Sequence, residues 1–534
     1  MYACRAFAII PRGARGLRKG PPVRVMFVHQ GRESLGLEYL SAVLKEAGHA
    51  TGLALDPGLF GANDNVFHIP RLERLFDPRE TLLAEVLAFR PDLVGFSVYT
   101  NTYRWSLAMA AEIKRRLDIP VVFGGIHATL VPDEVMTNAQ VDFAVVGEAE
   151  EAFVELVDAL AAGRDATRIA NVWARRNGEV LSNPLRPPIH DLDALPLPDK
   201  ALFAEEINFS DDYLLLCSRG CIFNCSYCCE SAINREYGGR FYRRRSVDSV
   251  MRELVEMKRR FRFREVMFND AILFADKAWL RDLMARYRRE IGVKFRCFGQ
   301  VRLLDEEVGQ LLKEGGCYAV EFGVQTMNET VRREVLNRRE TNRHNARAFR
   351  ILDSLGISYD VDHIFGLPHE TEADHALAAR FYSRRRRLNR IKCHNLTYFP
   401  SLAIVDLARR EGLLSDADIA AIRRGEVGDF FHERRIGDKR QRAFEEDYQV
   451  LLKLLGLFRP RTVDAILRRG WQRLFGRLPG WLIVLGQALI AIRHRDYRFL
   501  VYLKYYPVRL RSFFRRRRKT LGHRDTETQR GEKR

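Results

Sequence analysis

Five of the nine cysteines of this chain fall within the stretch CSRGCIFNCSYCCE at 217–230. Three of them, Cys221, Cys225 and Cys228, form the pattern C-x3-C-x2-C. A structural zinc site usually takes four ligands in two separated pairs, and no second CxxC or His pair follows nearby. Iron–sulfur clusters are held by thiolates at short spacings, and three thiolates on a four-iron cluster leave one iron open. The spacing therefore indicates a metal centre that can chelate a small molecule.

Two further cysteines of the stretch, Cys217 and Cys229, could complete a zinc site, so both metals remain open on spacing alone. The remaining four stand singly, and a lone cysteine is usually a small buried hydrophobe. These four are Cys4, Cys297, Cys317 and Cys393. Such usage predicts a reducing, cytoplasmic compartment and argues against a disulfide scaffold.

Residues 23–165 alternate short apolar runs with amphipathic stretches, which is typical of a doubly wound parallel sheet. The runs lie at 23–28, 51–55, 92–97, 120–125 and 142–147. Ligands of such sheets bind beyond the carboxyl ends of the strands. Those ends carry Ser97, Gly124, Gly125, Gly147 and Glu148. The glycines have two explanations. They let a flat ligand approach the backbone closely, or they only allow the chain to make a tight turn.

A second β/α series occupies 211–405 and predicts a partial parallel barrel. Its candidate strands lie at 213–217, 265–269, 294–298, 318–324, 358–366 and 394–399. Active sites of parallel barrels lie at the carboxyl ends of the strands, in the loops that follow. The cysteine stretch begins where the first strand ends, so we expect it on that face.

The other segments are a basic leader (1–22), a linker (166–210) with a hairpin-like stretch, a helical basic region (406–519) and a disordered tail (520–534). Lys and Arg number 88 against 69 Asp and Glu, a net charge of +19. Runs of arginine are usually solvated, although nucleic acid, an anionic membrane or an acidic substrate would also suit them. The apolar run 478–492, followed by aromatics among arginines, leaves two interpretations. It is either a buried helix beside a solvated tail or a helix lying in an anionic membrane interface.

With Tyr227 in place, the pattern C-x3-C-x-aromatic-C resembles the signature of radical S-adenosylmethionine (SAM) enzymes. The resemblance implies a partial (β/α)6 barrel in which the three thiolates hold a [4Fe-4S] cluster and the open iron binds SAM. Reductive cleavage then gives a 5′-deoxyadenosyl radical that removes hydrogen from an unactivated carbon. It also implies that Cys217 and Cys229 are not ligands.

Later strand ends are similar to those of the same family in order and spacing, although the second strand lacks a GGE. Asn269, Gln300 and Glu370 fall within these motifs. The SAM-binding residues implied by the resemblance are Tyr227, Asp270, Arg302, Gln325, Gly366 and Pro368.

Residues 23–165 resemble the cobalamin-binding domain that precedes the barrel in a large radical SAM subclass. The implied cobalamin-binding residues are Ser97, Tyr99, Gly124, Gly125, His127, Gly147 and Glu148. The usual D-x-H-x-x-G is missing, since the region after the first strand reads VHQGRESLG and its His29 lies outside that context. The implied cobalt therefore has water or no lower ligand, which favours methyl transfer.

The resemblance implies methylation of an unactivated carbon or a phosphinate-like centre, with the substrate between cobalamin and SAM. The chain is also similar to the anaerobic Mg-protoporphyrin IX monomethyl ester cyclase type, so cyclisation or oxidation is the first alternative. An RNA-modifying radical SAM enzyme and a non-enzymatic metal-binding scaffold are the others. We expect a small, lipid-like substrate, an electron donor such as flavodoxin or ferredoxin, and no nucleic-acid partner. For the C-terminal region, the more specific interpretation is contact with the inner membrane face through 478–519.

Overall fold

The computed structural model describes residues 20–61, 70–239, 241–427, 439–494, 496 and 506–516. Nearly all of the predicted leader and all of the predicted tail lie outside the described residues. The chain divides into two compact units. The N-terminal unit comprises Met1–Asp56 and Arg79–Phe203, and the C-terminal unit comprises Pro57–Pro78 and Ala204–Arg534. The predicted domain boundaries remain predictions.

Strands occur throughout both units. In chain order they are β1 Arg24–Gln30, β2 Ala50–Asp56, β3 Leu93–Ser97, β4 Val121–Gly124, β5 Phe143–Val145, β6 Val172–Arg176, β7 Glu179–Leu181, β8 Tyr213–Leu215, β9 Ser218–Arg219, β10 Arg243–Arg244, β11 Glu265–Phe268, β12 Lys294–Gly299, β13 Cys317–Gln325, β14 Ser358–Phe365 and β15 Leu388–Asn395.

Helices connect most of these strands and make up the C-terminal region. They are α1 Leu35–Glu46, α2 Pro70–Leu75, α3 Arg79–Phe89, α4 Tyr103–Lys114, α5 Ile126–Leu130, α6 Pro132–Met136, α7 Glu150–Ala161, α8 Cys229–Glu236, α9 Val247–Phe261, α10 Lys277–Glu290, α11 Glu306–Gly315, α12 Glu329–Glu334, α13 Asn342–Leu355, α14 Glu372–Ser383, α15 Ala403–Arg410, α16 Asp416–Arg423, α17 Lys439–Leu454, α18 Pro460–Arg468 and α19 Gly480–Arg493. A further helical stretch covers 506–516.

The N-terminal unit is built on a seven-stranded sheet in the order β2-β1-β3-β4-β5-β6-β7. Strands β1 to β5 pair in parallel, which confirms the predicted doubly wound sheet. Their apolar runs are nearly continuous because helices cover both faces of such a sheet. The predicted hairpin forms β6 and β7, and β6 pairs antiparallel with β5, so the hairpin extends this sheet.

Lys200 forms buried ion pairs with two glutamates at the start of α1. Its ammonium lies 2.5 Å from Glu33 Oε1 and 2.9 Å from Glu38 Oε2, and the side chains of Lys200 and Glu38 are completely buried. Burial raises the pKa of Glu38 well above its usual value, and Lys200 opposes that shift. An ion pair desolvated to this degree is costly to break on one side, because the remaining charge stays buried.

The C-terminal unit contains a six-stranded sheet in the order β15-β14-β13-β12-β11-β8, parallel throughout. This confirms the predicted (β/α)6 series, with one strand misplaced. We predicted the sixth strand at 394–399, whereas β15 covers Leu388–Asn395.

The position of β15 was missed because it carries Arg390, Lys392 and His394 at alternate positions, which breaks the apolar pattern. Acidic side chains of the sheet face these three. Arg390 lies 3.1 Å from Asp360, and Lys392 lies 2.5 Å from Glu321.

The predicted apolar helix at 478–492 forms as α19. Gly486 and Ile490 are buried, with Gly486 against Leu454 and Ile490 against Gly456. Within the described residues no single helix is long and apolar enough to cross a membrane. The stretch Trp471–Arg477 and α19 satisfy the length and composition criteria only as a pair, with a 109° bend between them.

The helical stretch 506–516 packs on other parts of the C-terminal unit. Ser512 Oγ lies 2.8 Å from a carboxylate oxygen of Glu206, and Arg515 lies 2.9 Å from Glu205. The Phe513 ring lies 5.2 Å from that of Phe76. Part of the basic C-terminal charge is therefore matched by carboxylates within the fold.

We predict that Lys200→Ala lowers the free energy of unfolding by about 3–5 kcal/mol, because Glu38 would lose its cation and its carboxyl group would stay buried without an ion-pair partner. Lys45→Ala is the control, since Lys45 pairs with Asp199 but is itself 44% exposed. The control should cost less than about 1 kcal/mol. Urea denaturation of the full-length variants measures both, and equal small losses would contradict the structural role of Lys200.

Candidate functional site

The cysteine stretch forms a loop at the carboxyl end of β8, as predicted. The chain leaves β8 at Leu215, pairs briefly through β9 with β10, and then turns into the loop. Cys228 is the N-cap residue of α8, so the third cysteine is positioned by a helix start. Cys221, Cys225 and Cys228 are free thiols of intermediate exposure.

Gly220 determines the backbone path into the loop. Its φ is +81°, in the left-handed region that glycine tolerates and other residues rarely adopt. A Cβ at this position would also overlap the carbonyl oxygen of Phe241. The residue immediately before Cys221 must therefore lack a side chain.

Side chains of α8 hold the carbonyl groups of all three cysteines. Ser231 Oγ lies 2.8 Å from the carbonyl oxygen of Cys225 and 2.7 Å from that of Cys228, so its one proton is shared between these two acceptors. Asn234 Nδ2 donates to that of Cys221 at 3.1 Å. With their carbonyl groups engaged by α8, the three residues have little backbone freedom left.

The segment after β13 holds the loop from the other side. Asn337 Nδ2 donates to the carbonyl oxygen of Asn224 at 2.6 Å. Ser226 donates through its backbone N to Leu336 O at 3.1 Å and through Oγ to Val335 O at 2.5 Å. Residues distant in sequence therefore determine the shape of the loop.

Burial raises the pKa of all three thiols, and that of Cys228 reaches about 12. The Arg338 guanidinium, 3.7 Å from Cys225 Sγ, opposes the shift at Cys225. The same Nη1 donates to Tyr227 Oη at 3.1 Å, and Nη2 donates to Gly323 O at 2.7 Å. Thiols in this setting ionise when a metal replaces their protons.

A cavity of about 470 Å³ lies beside the loop. Polar groups of two later segments line it together with Cys225, among them Gln300, Arg302 and Arg338. Its volume and positive lining suit a small molecule that carries a carboxylate.

The cavity residues of the third strand end are hydrogen-bonded to one another. Gln300 Oε1 accepts a hydrogen bond from Arg302 N at 2.6 Å, and Gln300 Nε2 donates to Glu340 at 3.1 Å. This brings Arg302, a predicted SAM-binding residue, to the rim on which Cys225 lies.

Gln325 ends β13 with φ +66°, an unusual value for a residue with a side chain. Its Oε1 is buried and has no hydrogen-bond partner among the described residues. A buried acceptor left in this way is suited to a hydroxyl or amino group of a ligand. Gly366 and Pro368 lie buried in the loop after β14.

Asp270 contacts the protein backbone closely. It is buried and accepts hydrogen bonds from Cys217 N at 3.1 Å and from Ser218 Oγ. Burial raises its pKa to about 6. In this structure Asp270 stabilises the backbone that leads into the cysteine loop. Its direct contact with SAM remains a prediction.

The N-terminal unit places its predicted cobalamin residues at the carboxyl ends of β3, β4 and β5. Tyr99 is 46% exposed there. Gly124 ends β4, and Gly125 follows with φ +88°, where a Cβ would stand 2.9 Å from Val98 N. Ser97 ends β3. An edge that combines glycines with an exposed aromatic ring is a suitable surface for a flat macrocycle.

The other predicted cobalamin residues contact the protein itself. His127 is completely buried, with Nδ1 3.0 Å from Thr100 Oγ1. Gly147 has φ +79°. Glu148 Oε2 accepts a hydrogen bond from Ile189 N at 2.7 Å. Whether these residues bind cobalamin remains a prediction.

Sequence reasoning missed Ser231, Asn234 and Arg338. The spacing of Ser231 and Asn234 after Cys228 could have placed both on one face of a helix. For Arg338 there was no local signal, because it is one of many arginines and only the folded chain brings it to Cys225.

Two family models match the chain. The B12 binding domain matches residues 29–157, and the radical SAM superfamily matches residues 215–381.

Two curated proteins are each similar to 65% of the chain. An uncharacterized methyltransferase of Pyrococcus horikoshii is 28% identical over 355 residues, which is 65% of this chain and 72% of the relative. The anaerobic magnesium-protoporphyrin IX monomethyl ester cyclase of Rubrivivax gelatinosus is 25% identical over 381 residues, 65% of this chain and 63% of the relative.

A solved structure shares the fold. The cobalamin-dependent S-adenosylmethionine radical enzyme OxsB, with aqua-cobalamin and SAM bound, superposes with a TM-score of 0.63 at 14% identity. The match covers 96% of this chain and 81% of that one.

We predict that Gly220→Ala weakens iron binding at least about fivefold, whereas Gly239→Ala leaves it unchanged. Gly239 has open space around it and no positive φ, so it controls for a glycine change near the loop. Strain of about 1–3 kcal/mol at Gly220 corresponds to a roughly 5- to 150-fold loss of correctly shaped loops. Iron and sulfide per chain after anaerobic reconstitution measure the effect, and full iron content in Gly220→Ala would contradict the argument.

Proposed function

This chain belongs to the cobalamin-binding radical SAM enzymes, whose two cofactor domains it carries in order, and we propose that it methylates an unactivated carbon of a small, lipid-like substrate. Its cofactors are a [4Fe-4S] cluster, SAM and cobalamin. The observation that carries the proposal is the trio of half-buried thiols on a loop held by hydrogen bonds and open to a 470 Å³ cavity.

The donor set fits the cluster. Three thiols from Cys221, Cys225 and Cys228 suit a cluster with one iron left for SAM. When bound, the cluster and SAM supply a hydrogen-abstracting radical, and cobalamin supplies the methyl group. The protein contributes orientation, exclusion of water and electrostatics.

Several residues of the cavity have defined tasks in this proposal. Arg338 places a positive charge beside Cys225 and stabilises its thiolate. Arg302 supplies a guanidinium for the SAM carboxylate. Gln325 offers its buried Oε1 to a hydroxyl or amino group. Gly366 and Pro368 shape the loop after β14, which would hold the adenine.

Ring formation or oxidation is the second candidate function. The similarity to the Rubrivivax cyclase, at 25% identity over 381 residues, favours it. The chain spans 63% of that cyclase, so part of the relative has no counterpart in the match. Product mass separates the two reactions, since methylation adds one carbon and two hydrogens.

We also propose that the enzyme contacts an anionic membrane surface through α19. One face of this helix exposes an apolar stripe, hereafter the α19 stripe. It comprises Trp481, Leu485, Leu489 and Ile492, whose exposed fractions are 67%, 49%, 50% and 73%. These positions recur at intervals of four and three residues, so they lie on one side of the helix. The opposite side is packed, as Gly486 and Ile490 show.

Basic residues flank the α19 stripe. Arg473, Arg477 and Arg493 are exposed before and after it. The neighbouring stretch adds Trp471, 48% exposed, with Arg469 stacked 4.8 Å from its ring. Apolar and aromatic residues beside arginines are typical of a helix in an anionic interface. A lipid-like substrate would be drawn from that surface.

We predict that Cys221→Ala, Cys225→Ala and Cys228→Ala each abolish formation of 5′-deoxyadenosine from SAM and reductant. Cys229→Ala is the matched control, because Cys229 is adjacent and equally half-buried but outside the motif. Chromatography and mass spectrometry measure the nucleoside, and anaerobic purification shows whether cobalamin copurifies. Turnover in all three motif variants, or a stoichiometric zinc ion in place of iron, would overturn the proposal.

We predict that changing the four α19 stripe residues to Ser weakens binding to phosphatidylglycerol vesicles at least about tenfold, since a fully buried Leu contributes about 1.5–3 kcal/mol. A Leu377→Ser, Leu413→Ser variant is the control, because both leucines are exposed outside the stripe. Vesicle cosedimentation at low and high salt measures binding. If the unaltered chain stays in the supernatant at low salt, the membrane contact is wrong.

A further inference from the structure

A second group of metal-ligating side chains lies in the C-terminal unit, away from the cysteine loop in sequence. It comprises His363 of β14, Glu370 of the following loop and His375 of α14, hereafter the His–Glu–His cluster. All three side chains are buried. One ligand atom from each lies within 4.8 Å of the other two.

Local structure holds the three residues in place. His363 is on the face of β14 that packs on α14, since its ring lies 6.0 Å from that of His375. A capping box between Thr371 and Asp374 starts α14 just before His375. Glu370 stands between these two elements, so strand, loop and helix each contribute one donor.

Hydrogen bonds orient two of the donors from outside. His363 Nδ1 lies 3.2 Å from Tyr382 Oη, while its Nε2 is completely buried and has no hydrogen-bond partner among the described residues. Thr326 Oγ1 donates to Glu370 Oε1. Metal-binding histidines and carboxylates are usually oriented in this way through the atom that does not bind the metal.

The distance between Glu370 and His375 is too long for a hydrogen bond. Glu370 Oε2 lies 3.8 Å from His375 Nε2. Ligand atoms held about 2 Å from a tetrahedral zinc ion stand about 3.3 Å apart. The Glu370–His375 separation of 3.8 Å therefore exceeds the zinc-bound spacing by about 0.5 Å.

The donor types of the cluster also suit a cation. A carboxylate beside two imidazoles offers one formal negative charge and two nitrogen lone pairs. A divalent cation would balance this charge inside the fold.

Simple packing explains part of the arrangement. The ring of His375 stacks on Phe365 at 4.7 Å and lies near Phe444 and Tyr448. A phenylalanine would fill that position as well. Packing therefore accounts for a ring at position 375, but it does not account for the nitrogen and carboxylate donors that converge there.

We propose that His363, Glu370 and His375 bind one zinc ion, separate from the iron–sulfur cluster. Two imidazoles and one carboxylate suit zinc, and water can complete the tetrahedron. The ion would fasten the loop after β14 to α14. That loop carries Gly366 and Pro368, so the ion would stabilise a segment that the proposed function places beside SAM.

Elemental analysis of the full-length, anaerobically purified holoenzyme tests the proposal. We expect about one zinc per chain in addition to cluster iron, with nitrogen and oxygen but no sulfur in the zinc-edge X-ray absorption spectrum. His375→Phe should reduce zinc at least tenfold and leave iron unchanged. The control His369→Phe, an exposed histidine of the same loop, should keep the zinc.

A thermal measurement on the unaltered chain covers the case in which His375→Phe fails to fold. Removal of zinc by a chelator should lower the melting temperature, and added Zn²⁺ should restore it. Sulfur ligands at the zinc edge, full zinc in His375→Phe, or no thermal response to Zn²⁺ would each overturn the zinc site. None of these measurements depends on methyl transfer. A failure of the zinc proposal can therefore be distinguished from a failure of the proposed reaction.

Discussion

The shape of the cysteine loop is the constraint on which the C-terminal unit depends. Three thiolates must converge on one cluster while a corner of it stays accessible. A flexible loop would lose much conformational entropy on doing so. Here most of that entropy is already lost on folding, because Ser231 and Asn234 hold the carbonyls of the cysteines and Gly220 sets the entry path.

The charge of Arg338 also prepares the cysteine loop for the cluster. Burial disfavours the charged thiolates, and Arg338 offsets that penalty at Cys225 while also bonding Tyr227 and the end of β13. One guanidinium therefore connects the cluster loop to the strand that carries Gln325. The same arrangement couples cluster binding to the shape of the cavity in which SAM is proposed to lie.

Part of the positive charge of the chain is paired with carboxylates inside the fold. Arg390 and Lys392 of β15 face carboxylates across the sheet, and Arg515 pairs with Glu205. In the part of the chain that the structure describes, exposed arginines flank the exposed apolar side chains of α19. A membrane surface is the partner that we propose for this region, since four exposed apolar side chains on one face of a helix can enter the headgroup and acyl boundary together.

Much of this protein could be predicted from the sequence alone. The spacing of Cys221, Cys225 and Cys228 is local, so it predicted a metal centre without a structure, and the resemblance that Tyr227 completes favoured iron over zinc. Apolar periodicity located both parallel sheets, because buried strands of such sheets are nearly continuous apolar runs. The method failed at β15, where ion pairs with neighbouring strands replace apolar burial.

Only the tertiary structure decided which residues surround the metal loop. Arg338 follows Cys225 by more than a hundred residues, and nothing in its neighbourhood distinguishes it from the other arginines. The His–Glu–His cluster likewise exists only when β14 and α14 pack together. Contacts of this kind depend on the three-dimensional path of the chain, whereas ligand spacing and strand periodicity are set by covalent neighbours.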